Sequence, residues 1–170
     1  MAKKEAKTNA MRILERLKIP YTAHTYEQDG EFTDGLEVAD KLGLPHEKVF
    51  KTLVTVGNDR NHYVFVLPID KELDFKKCAK SVGVKSVEMI HVRDLFALTG
   101  YVRGGCTSIG MKKQFVTRVD QSARDQEKIY VSGGRLGCQI ELAPDDLLKA
   151  DKGEYADLTM PGTLEEARVR

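Results

Sequence analysis

Cysteine is scarce: Cys78, Cys106 and Cys138 are the only three in 170 residues, odd in number, far apart and without a Cys-x-x-Cys pair. That spacing excludes a disulfide-stapled scaffold and a paired-cysteine zinc or redox site, and reduced thiols are expected. The histidines His24, His46, His62 and His91 are equally scattered, with no His-Glu-x-x-His spacing to set two ligands on one helix face. No metal site and no cofactor are expected. Long apolar runs are missing too, and Met1 to Lys7 carries no apolar leader segment, so no membrane association and a cytoplasmic location are expected. An excess of one charge is also absent: 27 basic residues against 26 acidic ones leave +1. Binding to nucleic acid would therefore need a local basic face, for which Lys76, Lys77, Lys80 and Lys85, or Arg103, Lys112, Lys113 and Arg118, are candidates. Each cluster reads equally as a solvated helix or loop face.

What the chain does have suits one globular domain: 41% hydrophobic and 31% charged residues, with no internal repeat, low-complexity segment or linker dividing two cores. Helical spacing and capping residues predict helices over Thr8–Lys18, Leu36–Leu42, a segment from Phe75 to Val82 capped by Asp74, His91–Leu98 and Pro144–Ala150. Strands are predicted at Tyr21–Tyr26, Val49–Val56, His62–Pro68, Tyr101–Arg103, Phe115–Val119, Ile129–Ser132 and Cys138–Leu142, with turn residues at 57–61 making a hairpin of the second and third. Helices interrupt the strands without a strict βαβ rhythm. The expected class is α+β, with a mixed, curled sheet and flanking helices.

Lys51 is the residue that most needs explaining. It sits within Val49-Phe50-Lys51-Thr52-Leu53-Val54-Thr55-Val56, where alternation places it beside Val49 and Leu53 on a face that is otherwise apolar. An ammonium is tolerated there if its head reaches water, meets an acidic partner or lines a ligand pocket. A second unusual segment, Gly104-Gly105-Cys106-Thr107-Ser108-Ile109-Gly110-Met111-Lys112-Lys113, can present consecutive N–H groups to a ligand. It fails as a nucleotide-binding P-loop, because Met111 stands where the phosphate lysine must follow Gly110 and no Ser/Thr follows Lys112. Ser132-Gly133-Gly134-Arg135-Leu136-Gly137 lacks the glycine order and following helix of a dinucleotide site. Cys106 is a weak candidate nucleophile, with no histidine placed by sequence to activate it.

Together, Phe50-Lys51-Thr52-Leu53-Val54, the Gly104-Gly105 to Lys113 loop and Val131-Ser132-Gly133-Gly134-Arg135-Leu136-Gly137 through Glu141-Leu142-Ala143-Pro144 resemble the YbaK/EbsC family. The likeness runs in order from about Thr8 to Leu158. It implies a single editing domain over residues 1–160, with a charged tail over 161–170, and the pseudo-barrel fold of the editing insertion of bacterial prolyl-tRNA synthetases. It implies deacylation of mischarged Cys-tRNA(Pro) in trans, by attack of the substrate's own thiol. By the same resemblance, Lys51, Gly104 and Gly105 carry the chemistry, while Tyr26, Thr52, Ser132 and Gln139 contact substrate. Many relatives have Ser-Pro in place of Thr107-Ser108 and a small or acidic residue in place of Gln139. The implied partners are the tRNA(Pro) acceptor end and prolyl-tRNA synthetase. Two alternatives stay open: an Ala-tRNA(Pro) deacylase, and a non-catalytic tRNA-binding or regulatory module.

Overall fold

A computed structural model describes residues 6–31 and 33–164. Helix α1 (Asn9–Arg16) starts where the Thr8 hydroxyl accepts the Met11 N–H, and its buried residues Ala10, Met11 and Leu14 recur at helical spacing. Strand β1 (Thr22–Thr25) and helix α2 (Gly35–Leu42) follow, the helix capped by the Asp34 side chain on the Leu36 N–H. Strands β2 (Phe50–Gly57) and β3 (His62–Pro68) form the expected hairpin, and Asp74 caps α3 (Phe75–Val82). Strand β4 (Val87–Met89), helix α4 (Val92–Thr99), strands β5 (Val116–Asp120), β6 (Ile129–Ser132) and β7 (Cys138–Leu142), helix α5 (Pro144–Asp151) and strand β8 (Glu154–Ala156) complete the order.

The α+β class is as expected, but the strands divide into two sheets that do not close into a barrel. A three-stranded antiparallel sheet has the order β1-β7-β6, and a five-stranded mixed sheet the order β4-β2-β3-β5-β8. In the larger sheet β4-β2-β3 is antiparallel, while β3-β5 and β5-β8 run parallel. A single parallel bridge, Val49 to Tyr130, joins the start of β2 to β6 across the gap between the sheets.

Central β3 explains this arrangement. Val66 packs into the main core with Phe50, Ile109, Ile129, Ile140 and Leu147, whereas Phe65 and Leu67 pack on the other side with Cys78 and Leu158. A strand buried on both faces reads as the continuous apolar run seen in its sequence. Two local expectations are corrected. Tyr101–Arg103 is coil and turn, its apolar character going into packing: Tyr101 is buried and donates its hydroxyl to the Ile109 carbonyl at 2.6 Å. Strands β4 and β8, three residues each, were not expected, since such short edges carry little periodicity. Within the expected tail, Leu164 N–H donates to the Asp70 carbonyl at 2.8 Å and Lys71 Nζ to the Gly162 carbonyl at 2.7 Å. Residues 165–170 of that tail lie outside the described residues.

Candidate active site

The site begins with a gap in strand pairing. Strand β4 covers β2 only at Thr55–Gly57, and the bridge to Tyr130 covers only its start at Val49. Between them, one edge of β2 around Lys51–Leu53 has no partner strand among the described residues. Two flanking bonds show which peptide groups point there: Val49 O accepts from Ile69 N on the β3 side at 2.9 Å, and Val54 O accepts from Ile90 N on the β4 side at 3.3 Å. Alternation then aims the N–H and C=O of Thr52 at the open edge. A cavity of about 380 Å³ lies there, lined by residues from both faces of β2, including Phe50, Lys51, Thr52, Leu53 and Val54.

Lys51 lines this cavity and is only partly exposed; its Nζ donates to the Ile69 carbonyl at 3.4 Å. Register places it opposite Leu67, so its stem lies along the apolar face expected from sequence. Burial holds its pKa below the ordinary lysine value, and the carboxylates of Asp34, Glu72 and Asp70 act in the opposite direction. One of those carboxylates, Asp34, also lines the cavity while capping α2. The ammonium is thus a desolvated point charge whose acidic neighbours help to keep it protonated.

The facing wall comes from two loops and the smaller sheet. Gly104 lines the cavity at φ +87°, a left-handed conformation natural to glycine, and no other backbone carbonyl among the described residues takes its N–H. Gly105 has a different position from the one expected. It is absent from the cavity wall, and its N–H donates to the Val102 carbonyl at 2.9 Å. A Cβ there would come within 2.9 Å of Arg135 Cα, so Gly105 lets the two glycine loops approach backbone to backbone. Ser132 and Gln139, opposite each other on β6 and β7, both line the cavity and are nearly buried. Ser132 Oγ accepts the Gly134 N–H at 3.2 Å, while Gln139 Oε1 is buried with no hydrogen-bond partner among the described residues. An acceptor so placed suits a donor on a ligand. Tyr26 stands outside the wall; its backbone N–H donates to the Gly137 carbonyl at 3.0 Å, and burial raises its phenol pKa.

Cys106 also lines the cavity, 8% exposed, and burial pushes its thiol up to about 12, opposed only by a hydrogen bond from Thr99. It is a packed, protonated thiol at neutral pH. Thr107 and Ser108 are buried behind it, Ser108 donating to Asp151 Oδ2 at 2.8 Å, which ties the loop to α5. Sequence reasoning missed the apolar wall of Met89, Ile90, Val92 and Leu95 and the polar residues Asp34 and Arg103. Asp34 was legible only as one polar residue ahead of the Leu36–Leu42 helix and Arg103 only as part of a basic cluster; the apolar residues carried no distinguishing signal. No group of three or more His, Cys, Asp or Glu side chains among the described residues is placed to hold a metal ion.

Comparison with known proteins fits this geometry. A protein of Enterococcus faecalis, EbsC, named for Cys-tRNA(Pro)/Cys-tRNA(Cys) deacylation, is 48% identical over 161 residues, covering 94% of this chain and 98% of its own. A solved structure titled hypothetical protein APE2540 superposes with a TM-score of 0.81 at 24% identity over 90% of this chain and all of its own. Another, named as a trans-editing enzyme for prolyl tRNA synthetase, gives 0.75 at 21% identity over 92% of this chain and 99% of its own. These two likenesses establish the fold. Residues 33–150, which hold Lys51, both glycine loops and Gln139, match the aminoacyl-tRNA editing domain, and the chain belongs to that family.

Proposed function

We propose that this protein deacylates mischarged Cys-tRNA(Pro) in trans. The observation that carries the reading is that Lys51, its ammonium desolvated, and Gly104, whose N–H no backbone carbonyl among the described residues takes, line one small cavity together with the unpartnered Gln139 acceptor. Selection of cysteine rests on the resemblance to the family and on the name of the 48% identical relative.

Cysteine is close to proline in size, and small differences in apolar bulk are worth too little energy for a synthetase to exclude it, so a second sieve is needed. In the proposed reaction the substrate's own Sγ attacks its ester carbonyl. The C–O bond to the ribose breaks, the thiol proton passes to the departing ribose oxygen, and water then opens the cyclic thioester to free cysteine. The protein supplies position and charge. Lys51 anchors the terminal ribose–ester end as a cation, the Gly104 N–H meets the developing oxyanion, and Ser132 and Gln139 orient the aminoacyl group. Holding the thiol in attack geometry contributes several kcal/mol, and one well-aimed oxyanion donor about 3 kcal/mol more. Gly105 positions the loop through its close approach to Arg135 and donates nothing to substrate. Prolyl-tRNA synthetase is the partner from which a domain of this size would borrow tRNA selectivity.

Lys51→Ala is expected to lower Cys-tRNA(Pro) hydrolysis at least a hundredfold, the scale on which removing one charge-stabilising group acts, with thermal stability retained. Near-normal turnover in that variant would remove Lys51 from the mechanism. Release of amino acid from Cys-, Ala- and Pro-tRNA(Pro) in parallel tests the substrate: preference for alanine overturns the cysteine reading, and no release from any of the three overturns deacylation.

A further inference from the structure

Helix α4 leaves an apolar face uncovered beside the cavity mouth. Val92 is 58% exposed and Phe96, one turn along α4, 57%, and Met89, at the end of β4 just before the helix, is exposed as well. Met89 and Val92 also line the cavity, which makes the patch continuous with the site. A cation is fixed within it. Lys112 N–H donates to the Thr99 carbonyl at the end of α4, its stem crosses Gly100, and Nζ stands over the Phe96 ring at 5.2 Å from the centroid. Arg93 on α4 and Arg103 on the cavity rim add positive charge, against Glu88 and Asp94 nearby.

An aromatic ring that is open on one side, with an ammonium already held at it, has the chemistry that binds single-stranded nucleic acid: a base stacks on the ring while the cation meets the adjoining phosphate. We propose that this rim is a platform for the unpaired nucleotides preceding the terminal adenosine of the tRNA substrate, with Phe96 as the stacking surface and Lys112 as the phosphate contact. The proposal rests on the reading that an aminoacyl-tRNA is the substrate. It adds to that reading a place for the acceptor strand outside the cavity, where the protein can distinguish a tRNA end from a small aminoacyl ester. A purely apolar protein-docking face would not need a cation fixed at its centre; the charge favours RNA.

The test compares two esters on the intact protein: Cys-tRNA(Pro), and cysteinyl adenosine, which lacks the preceding nucleotides. For Phe96→Ala and for Lys112→Met, which keeps the stem over Gly100, kcat/KM on the tRNA is expected to fall about tenfold, as loss of one base stack or phosphate contact implies. The loss should lie in KM, with hydrolysis of cysteinyl adenosine and the melting temperature unchanged. Unaltered kinetics on the tRNA would overturn the platform and leave the rim to a protein partner; equal losses on both esters would also overturn it. Wild-type protein that cleaves both esters with equal efficiency would overturn the platform alone. Cleavage of neither would overturn the deacylase reading itself.

Discussion

Two reactive side chains share the cavity, and burial assigns them opposite fates. Desolvation disfavours the charged form of each, lowering the Lys51 pKa and raising that of Cys106. Lys51 has Asp34, Glu72 and Asp70 to offset that cost, while Cys106 has only a hydrogen bond from Thr99. With its thiol near 12, Cys106 holds on the order of one thiolate in 10⁵ molecules at pH 7. It is therefore poorly placed to act as nucleophile, even though it lies in the wall beside Gly104. Cys106→Ala is expected to keep deacylase activity within about twofold and to cost roughly 1 kcal/mol of stability from lost packing. Iodoacetamide should not inactivate the wild type through this residue. A folded, inactive alanine variant would instead establish covalent chemistry at the thiol. At this scale Lys51 was legible in the sequence because a charge in an apolar strand is anomalous wherever it points. The different duties of Gly104 and Gly105 were not legible, since adjacent glycines look alike until one N–H is found committed to Val102 and the other is not.

The loop that presents Gly104 is held by a helix far away in the chain. Ser108 Oγ donates to Asp151 Oδ2 at 2.8 Å, Gly153 N–H donates to Oδ1 at 2.8 Å, and Gln114 Nε2 donates to the Asp151 carbonyl at 2.8 Å. Asp151 is fully buried, and desolvation raises its pKa to about 6 despite the Ser108 and Gly153 donors on its carboxylate. Its folded pKa exceeds the unfolded value of about 3.9, so its proton-linked stabilisation is complete below about pH 4 and is lost as pH rises towards 6. The loss is on the order of 2 to 3 kcal/mol. Wild-type stability, measured by denaturant unfolding, is expected to fall between pH 4 and 6 relative to Asp151→Asn, which cannot titrate. Parallel curves for the two proteins would mean that Asp151 does not change charge in that range. The helices were readable from their caps and spacing, because those signals are local. Strands β4 and β8 were not, since each gains its strand character from a neighbour distant in sequence: β4 pairs with β2 through Thr55–Gly57, and β8 with β5 through Arg118–Asp120.

The cavity itself exists only at the scale of the whole molecule. It opens because β4 stops short along β2 while, among the described residues, the smaller sheet bridges to this strand only through Val49, just before it begins, so residues as far apart as Asp34 and Gln139 come to face one space. No periodicity encodes that meeting; only the resemblance of separate motifs placed their residues in one pocket. The same scale governs how tRNA is held. With a net charge of +1 the chain has no general positive field, and no described helix is long and apolar enough to cross a membrane. On the proposed platform, attraction to phosphate comes from a few cations near the cavity mouth, Lys112 held over Phe96 together with Arg93 and Arg103, rather than from a broad basic surface. About three phosphates neutralised along a single strand give a slope near −2 in log K against log salt. Titration of tRNA(Pro) at several salt concentrations is expected to return that shallow slope, moving towards −1 in Lys112→Met. A slope steeper than about −5 would require many more phosphate contacts, placing the tRNA instead across a wider basic face such as the one around Lys76, Lys77 and Lys80.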